Sequence, residues 1–177
     1  MILDFDTYYI EPVQEKDAWK LCDFITVNSE RLKRFFPKTL AQNLTPTLSA
    51  IFAEKKARQF VAQEEFLFKL KEKENRTIIG LVYIKEIDWT KKQGECAYCI
   101  GYQYEGKGYT TQSVNTISNY ALEVLELRTL RIIAHRSNVG SIRVAEKCGY
   151  IWKSTLSKEF APPNEELLDM ELYELNR

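Results

Sequence analysis

The chain predicts an α/β fold in a single domain spanning residues 1–177, and three observations predict it. Segments with strand character, such as 65–71 and 77–87, alternate with stretches whose apolar residues recur three and four apart. A glycine loop, Gln103-Tyr104-Glu105-Gly106-Lys107-Gly108, joins a strand-like run to an amphipathic helix. Thirty residues on, Asn138-Val139-Gly140-Ser141 opens a second helix, with helix and then strand in between.

Taken in order, Tyr8–Val13 reads as the first strand. Asp17–Val27 and Ser29–Phe36 read as helices, the second opened by Ser29 and stopped by Pro37, which lacks the N–H a helix interior needs. Thr47–Gln63 is a third helix, with Leu48, Ile51, Phe52 and Phe60 apolar and Lys55, Lys56 and Arg58 in water. Glu65–Lys71 sets Phe66 and Phe68 against polar neighbours, the period of a half-buried strand. Lys73-Glu74-Asn75-Arg76 turns the chain, and Thr77–Ile87 returns as a longer strand to complete a hairpin. Glu95–Tyr102 leads into the glycine loop, and the helix after it carries Val114, Ile117, Ala121 and Val124 on one stripe. Leu130–Ala134 is a buried strand. Ser141–Lys147 is a helix closed by Gly149, the residue type that accepts a left-handed conformation past a helix end. Strands Tyr150–Leu156 and Leu167–Tyr173 flank the turn Ala161-Pro162-Pro163-Asn164.

Charge and cysteine usage narrow the function classes. Lys plus Arg and Asp plus Glu both number 25, so net charge gives no footing for nucleic acid or an anionic membrane surface. No apolar run approaches the roughly 20 residues that span a bilayer. Asp4 and Asp6 stand where a secretion signal carries basic residues, so a soluble, cytoplasmic protein is expected. Cys96-Ala97-Tyr98-Cys99 has the spacing of half a zinc site, but residues three apart on a strand face opposite sides. There is no second such pair and His135 is the only histidine, so no metal is expected and the four cysteines read as reduced core thiols.

The glycine loop by itself admits three meanings. Gly101-x-x-x-x-Gly106-Lys107 has P-loop spacing, yet Gly108 stands where a magnesium-holding Ser or Thr is required. The later strand also ends in His135 rather than in an Asp. A plain glycine turn is the second meaning. The third is a diphosphate cradle, because closely spaced glycines let main-chain N–H groups converge at the positive end of a helix.

The third meaning joins a family resemblance. Gln103-x-x-Gly106-x-Gly108 is similar to the Q/R-x-x-G-x-G/A signature of the GNAT N-acetyltransferases. It continues into their ribosomal-protein N-acetyltransferase (RimJ/RimL-like) branch through Glu95 and Tyr98 before the loop and the run Gly106 to Tyr109. The branch pattern N-x-x-S-x-R-V-A-E-K-x-G-[FY] is matched from Asn138 through Ser141, Arg143 to Lys147, Gly149 and Tyr150. Asn28, Glu30, Leu32, Phe35 and Pro37 resemble the branch's N-terminal segment, so the likeness covers nearly the whole chain. Loop and Asn–Ser segment together are far more specific than the loop alone.

That resemblance implies an α+β arrangement: a mixed, mostly antiparallel sheet of about seven strands with about four to five flanking helices. The sheet is expected to splay between Glu95–Tyr102 and Leu130–Ala134, with a bulge in the earlier strand freeing main-chain groups for a pantetheine arm. Acetyl-CoA is the implied co-substrate. Its expected contacts are Ile100, Gly101, Tyr102, Gln103, Gly106, Lys107, Gly108, Tyr109 and Thr110, together with Asn138, Ser141 and Arg143. A main-chain N–H near Ile100 or Gly101 is the expected oxyanion donor. Ser141 is implied as the acid that protonates the leaving thiolate, its alternative being a first-turn serine bonded to the Asn138 side chain or carbonyl. Glu95 and Glu159 are implied to draw the proton from the amine through water.

Phe35 and Phe36 stand where the branch carries a Trp-Leu pair beside the acceptor, so acceptor specificity stays open. Three activities remain at this point: acetylation of a protein N-terminal α-amine, acetylation of a small amine such as a polyamine, amino acid or aminoglycoside, and acyl-CoA binding without turnover. His135 reads as a loop-edge residue rather than a base, Arg31-Leu32-Lys33-Arg34 as a basic rim or a solvated face, and the protein as a monomer or homodimer.

Overall fold

The computed structural model describes residues 2–177. Its strands are β1 (Leu3–Asp4), β2 (Tyr8–Pro12), β3 (Phe66–Glu72), β4 (Ile78–Asp88), β5 (Gln93–Ile100), β6 (Thr129–Ala134), β7 (Ile151–Phe160) and β8 (Leu168–Asn176). Its α-helices are α1 (Ala18–Val27), α2 (Ser29–Phe35), α3 (Pro37–Ala41), α4 (Pro46–Val61), α5 (Tyr109–Glu123) and α6 (Val139–Lys147). The strands form one sheet in the order β1-β2-β3-β4-β5-β6-β8-β7. Every neighbouring pair is antiparallel except β5 and β6, which α5 joins as a parallel crossover.

Two elements exceed the sequence expectation. The two-residue β1 is too short to carry a periodic signal. Pro37, read as a stop, also opens α3, because the first helical position has no intrahelical use for an N–H.

The sheet is covered on both faces, and this changes how β3 must be read. Phe66 and Phe68 enter one cluster with Ile84, Cys96, Val114, Ile117 and Ile132, on the side of α5 and α6. Leu67 enters a second cluster with Leu21, Phe24, Ile25, Phe52 and Leu81, on the side of α1 and α4. Each such side chain taken fully out of water contributes about 1.5–3 kcal/mol. Lys69 follows the same alternation and is fully buried, meeting Glu11 at 3.0 Å and also the Asp17 carboxylate. A polar residue on a strand therefore marked a buried ion network, not a wet face.

Smaller departures have local causes. Val124 lies past the end of α5 and is exposed, while Leu127 fills the core position on the α5 side. On α4, Ile51 faces solvent whereas the Lys56 ammonium sits 2.5 Å from Glu65 in a largely covered ion pair. The CxxC pair behaves as strand geometry requires, with Cys96 in the first cluster and Cys99 packed against the second.

The central feature is the parting of β5 from β6. They pair only at Gln93↔Thr129, Gly94↔Leu130 and Glu95↔Arg131. Beyond that, β5 stays with β4 from Lys85↔Glu95 to Gly80↔Ile100, and β6 stays with β8 to Ala134↔Glu171. Each strand keeps its outer partner, so sheet twist draws the two halves apart and leaves an open wedge. The expected bulge is not in β5, whose register is continuous from Glu95 to Ile100. The shift falls in β4 between Lys85 and Asp88, where Glu86 has φ +49°. No bulge is needed in β5: divergence of β6 alone frees its inner edge.

Candidate active site

Backbone alternation sets the chemistry of the wedge. Gly101 N–H donates to Ile79 O at 2.8 Å, toward β4, so beyond the last β5–β6 rung at Glu95↔Arg131 the N–H groups of Tyr98 and Ile100 face the opening. This removes Gly101 as an oxyanion donor and leaves Ile100. Tyr102 N–H is also committed, to Asn28 Oδ1 at 3.1 Å.

The glycine loop after β5 presents a row of main-chain donors. Among the described residues, of the amides from Gln103 to Thr111 only that of Tyr104 meets a protein acceptor, Gly101 O at 2.9 Å. Gly106 and Gly108 hold φ +71° and +82°, and a Cβ at either would meet no atom within 4 Å. The left-handed turn aims the loop amides outward at the start of α5, where Gly108 is the N-cap and no side chain caps the helix. Lys107 and Lys147 flank a shallow groove of about 580 Å³ beside this helix end. Uncommitted amides, a positive helix terminus and open space fit a diphosphate. Gln103 instead spends its side chain on Tyr102 Oη at 2.8 Å, and Tyr109 packs its ring 5.0 Å from Tyr8. Thr110 lies in the first turn of α5, its amide among the uncommitted donors.

Across the wedge, Asn138 caps α6 and its Oδ1 accepts Ser141 N–H at 3.2 Å. Ser141 Oγ is not bonded to Asn138. It donates to Tyr98 Oη at 3.0 Å, and Tyr98 donates to Ser141 O at 2.8 Å. Burial pushes the Tyr98 pKa well above the ordinary tyrosine value, the Ser141 bond only partly offsetting it, so Tyr98 stays protonated. Arg143 is exposed on α6 with no hydrogen bond or ion pair among the described residues. Burial also drives the Cys99 thiol up to about 12, which makes it inert at neutral pH.

Glu95 and Ser141 stand on opposite faces of the sheet. Tyr98 packs with the α5-side cluster, and Ala97 and Cys99 pack on the other side, the face Glu95 shares by alternation. Glu95 lies at the vertex of the wedge, its carboxylate 2.8 Å from Lys85 Nζ. Glu159 is exposed on β7 beside Phe160, and its carboxylate makes no hydrogen bond or ion pair among the described residues. Phe35 projects from α2 to lie 6.2 Å from His135 and 6.1 Å from Phe160. Phe36 turns inward, 6.4 Å from Tyr83 in the second cluster.

Two contacts that sequence reasoning did not find connect α2 to the glycine loop. Asn28, at the α1–α2 junction, holds Tyr102 N–H while its own Nδ2 donates to Phe24 O at 2.8 Å. Arg31 forms an ion pair with Glu105 inside the loop. The Arg31–Arg34 segment is thus neither free rim nor solvated face, since Arg34 also binds Glu165 through two bonds of 2.9 Å. No sequence spacing signals pairs separated by 74 and 131 residues.

Residues 8–151 match the family model described as an acetyltransferase (GNAT) domain. The chain is 26% identical over 146 residues to the Bacillus subtilis (strain 168) protein named "Putative ribosomal N-acetyltransferase YdaF", covering 80% of this chain and 76% of that one. It is 31% identical to the spermidine N(1)-acetyltransferase of Escherichia coli (strain K12) over 81 residues, 46% of this chain and 44% of that one. Among solved structures, the ribosomal-protein-S5-alanine acetyltransferase from Vibrio fischeri superposes with TM-score 0.93 at 20% identity, over 99% of this chain and 96% of that one. A RimL ribosomal L7/L12 alpha-N-protein acetyltransferase in complex with coenzyme A gives TM-score 0.89 at 13% identity, over 99% and 98%. At those identities the structures share the fold.

Proposed function

We infer the activity from one premise: the chain belongs to the GNAT acetyltransferase family. It is an acetyl-CoA-dependent N-acetyltransferase, and we propose that its acceptor is the α-amine of a protein N-terminus. The observation that carries the reading is the wedge between β5 and β6, bordered at one end by loop amides without protein partners and crossed by the Tyr98–Ser141 pair. In sequence, the Bacillus subtilis protein named as a putative ribosomal N-acetyltransferase matches 80% of this chain and the spermidine enzyme 46%. In structure both kinds of enzyme cover nearly all of it, at TM-scores of 0.93 for the ribosomal-protein enzyme and 0.73 for a spermidine N-acetyltransferase chimera.

Acetyl-CoA supplies the acetyl group as a thioester; the residues supply binding and proton management. The amides of Gln103 and Glu105 to Thr111 hold the diphosphate, each charge-assisted bond contributing about 1.5–3 kcal/mol. Ile100 N–H faces the wedge and stabilises the oxyanion as the amine nitrogen forms its bond to the acetyl carbon. A proton from the amine reaches Glu95, on the opposite face from Ser141 and five residues back along β5 from Ile100, through a chain of waters in the wedge. As the C–S bond breaks, the Ser141 hydroxyl turns from Tyr98 Oη to give its proton to the sulfur at the α6 end of the site and takes a proton back from water. Opposed faces suit direct transfer, since amine and thiolate then sit on opposite sides of the reacting carbonyl.

Thiol release with a panel of N-terminal peptides and small amines tests the reading. Turnover is expected with peptides and not with spermidine or aminoglycosides; the reverse would replace the acceptor class. Acetyl-CoA, and not Mg-ATP, is expected to raise the melting temperature.

A further inference from the structure

His135 follows β6 at the wide end of the wedge. Glu95 is in register with Arg131, so Arg131, Ile133 and His135 share the Glu95 face by alternation. The imidazole lies against Phe35 with planes 27° apart. Its Nδ1 accepts the main-chain N–H of Ser137 at 3.3 Å and lies 2.7 Å from Ser137 Oγ. A main-chain N–H can only donate, so Nδ1 carries the lone pair and the neutral ring bears its proton on Nε2.

Two consequences follow from that tautomer. The free edge of His135 is a donor, which bars it from removing the amine proton. It is also unspent, because Nε2 has no hydrogen-bond partner among the described residues. A donor fixed beside an apolar wall of Phe35 and Phe160 is matched by an oxygen acceptor on a molecule carrying an apolar or small side chain.

We propose that His135 Nε2–H recognises the carbonyl oxygen adjoining the acceptor amine, and so selects peptide α-amines over polyamines, which have no such oxygen. This rests on the acetyltransferase reading and sharpens its acceptor half. A site built around a fixed donor discriminates against a ligand lacking the matching acceptor, because the donor is then left unpaired.

The test uses CoA joined through its acetyl group to the α-amine of a tripeptide amide, and the same conjugate with the first carbonyl reduced to methylene. Calorimetry on the wild type is expected to show about tenfold tighter binding of the carbonyl form. His135→Ala should bind both conjugates equally, and His135→Gln, which keeps a donor at similar reach, should restore part of the preference. Free CoA affinity should be unchanged in all three proteins. Equal binding by the wild type, or a preference that survives in His135→Ala, overturns the proposal alone. Failure of the wild type to bind CoA or either conjugate overturns the acetyltransferase reading and the proposal with it.

Discussion

The Ser141 hydroxyl donates to Tyr98 Oη at 3.0 Å, and Tyr98 returns a bond to the Ser141 carbonyl at 2.8 Å. A residue of β5 thereby fixes the rotamer of the α6 residue that we propose as the acid. Ser141→Ala is expected to lower kcat by about 10²-fold while leaving acetyl-CoA affinity nearly unchanged. Tyr98→Phe keeps the acid and loses its holder, so its fall in kcat should be smaller, about tenfold. Pre-steady-state thiol release and CoA titration separate the effects, and a Ser141→Ala variant with the wild-type rate would remove Ser141 as the acid.

Gly108 combines a left-handed φ of +82° with open space where its Cβ would lie. Gly108→Val is expected to cost about 1–2 kcal/mol in backbone strain. It should also weaken acetyl-CoA binding by about 10²-fold or more, by placing methyl groups where the diphosphate meets the amides. Gly108→Ala should show the strain with a milder affinity loss. Thermal melts and isothermal titration measure the two parts; normal affinity in the valine variant would refute the loop assignment.

Arg31 and Glu105 are both partly exposed, so their pair should add less than about 1 kcal/mol to stability. Its expected effect is on the loop: Arg31→Glu should raise the KM for acetyl-CoA severalfold at unchanged melting temperature, and adding Glu105→Arg should recover most of the loss. Failure of the double variant to recover would show that Arg31 does not act through Glu105.

Lys69 is fully buried between Glu11 and Asp17. Lys69→Met takes the ammonium from the buried Asp17 and leaves Glu11 to Lys71 alone, and should destabilise by about 3–5 kcal/mol in urea melts. Burial pushes the Glu11 pKa up, but Lys69 and Lys71 outweigh it and hold the pKa below the ordinary 4.5. The unfolded chain therefore binds the proton first on acidification, so Glu11's contribution is whole above pH 4.5 and is lost as pH falls through its lowered folded pKa. Lys69→Met should blunt that acid-side loss; a parallel decline in both proteins would contradict it.

Much of the fold was legible because its signals are local. Val114, Ile117 and Ala121 mark the core stripe of α5 by spacing alone, and Gly106, Gly108 and the Asn138 cap announce two helix starts. Strand polarity was misleading at Lys69, because burial on both faces is a property of what packs on the sheet and not of the strand. The Ser141–Tyr98 contact was not legible, since Tyr98 reaches Ser141 from 43 residues away.

By itself the sequence determined the order of the larger elements, the glycine turn before α5 and the family, each written in spacings of a few residues. Tertiary structure alone decided which β5 amides are free, that Gly101 and Tyr102 are already engaged, and that Glu95 and Ser141 serve opposite faces. It also placed Glu159 on the exposed face of β7 and His135 Nδ1 beside the Ser137 amide. The reason is geometric: these properties depend on where two strands part and which side of a sheet a residue meets, and distant segments set both.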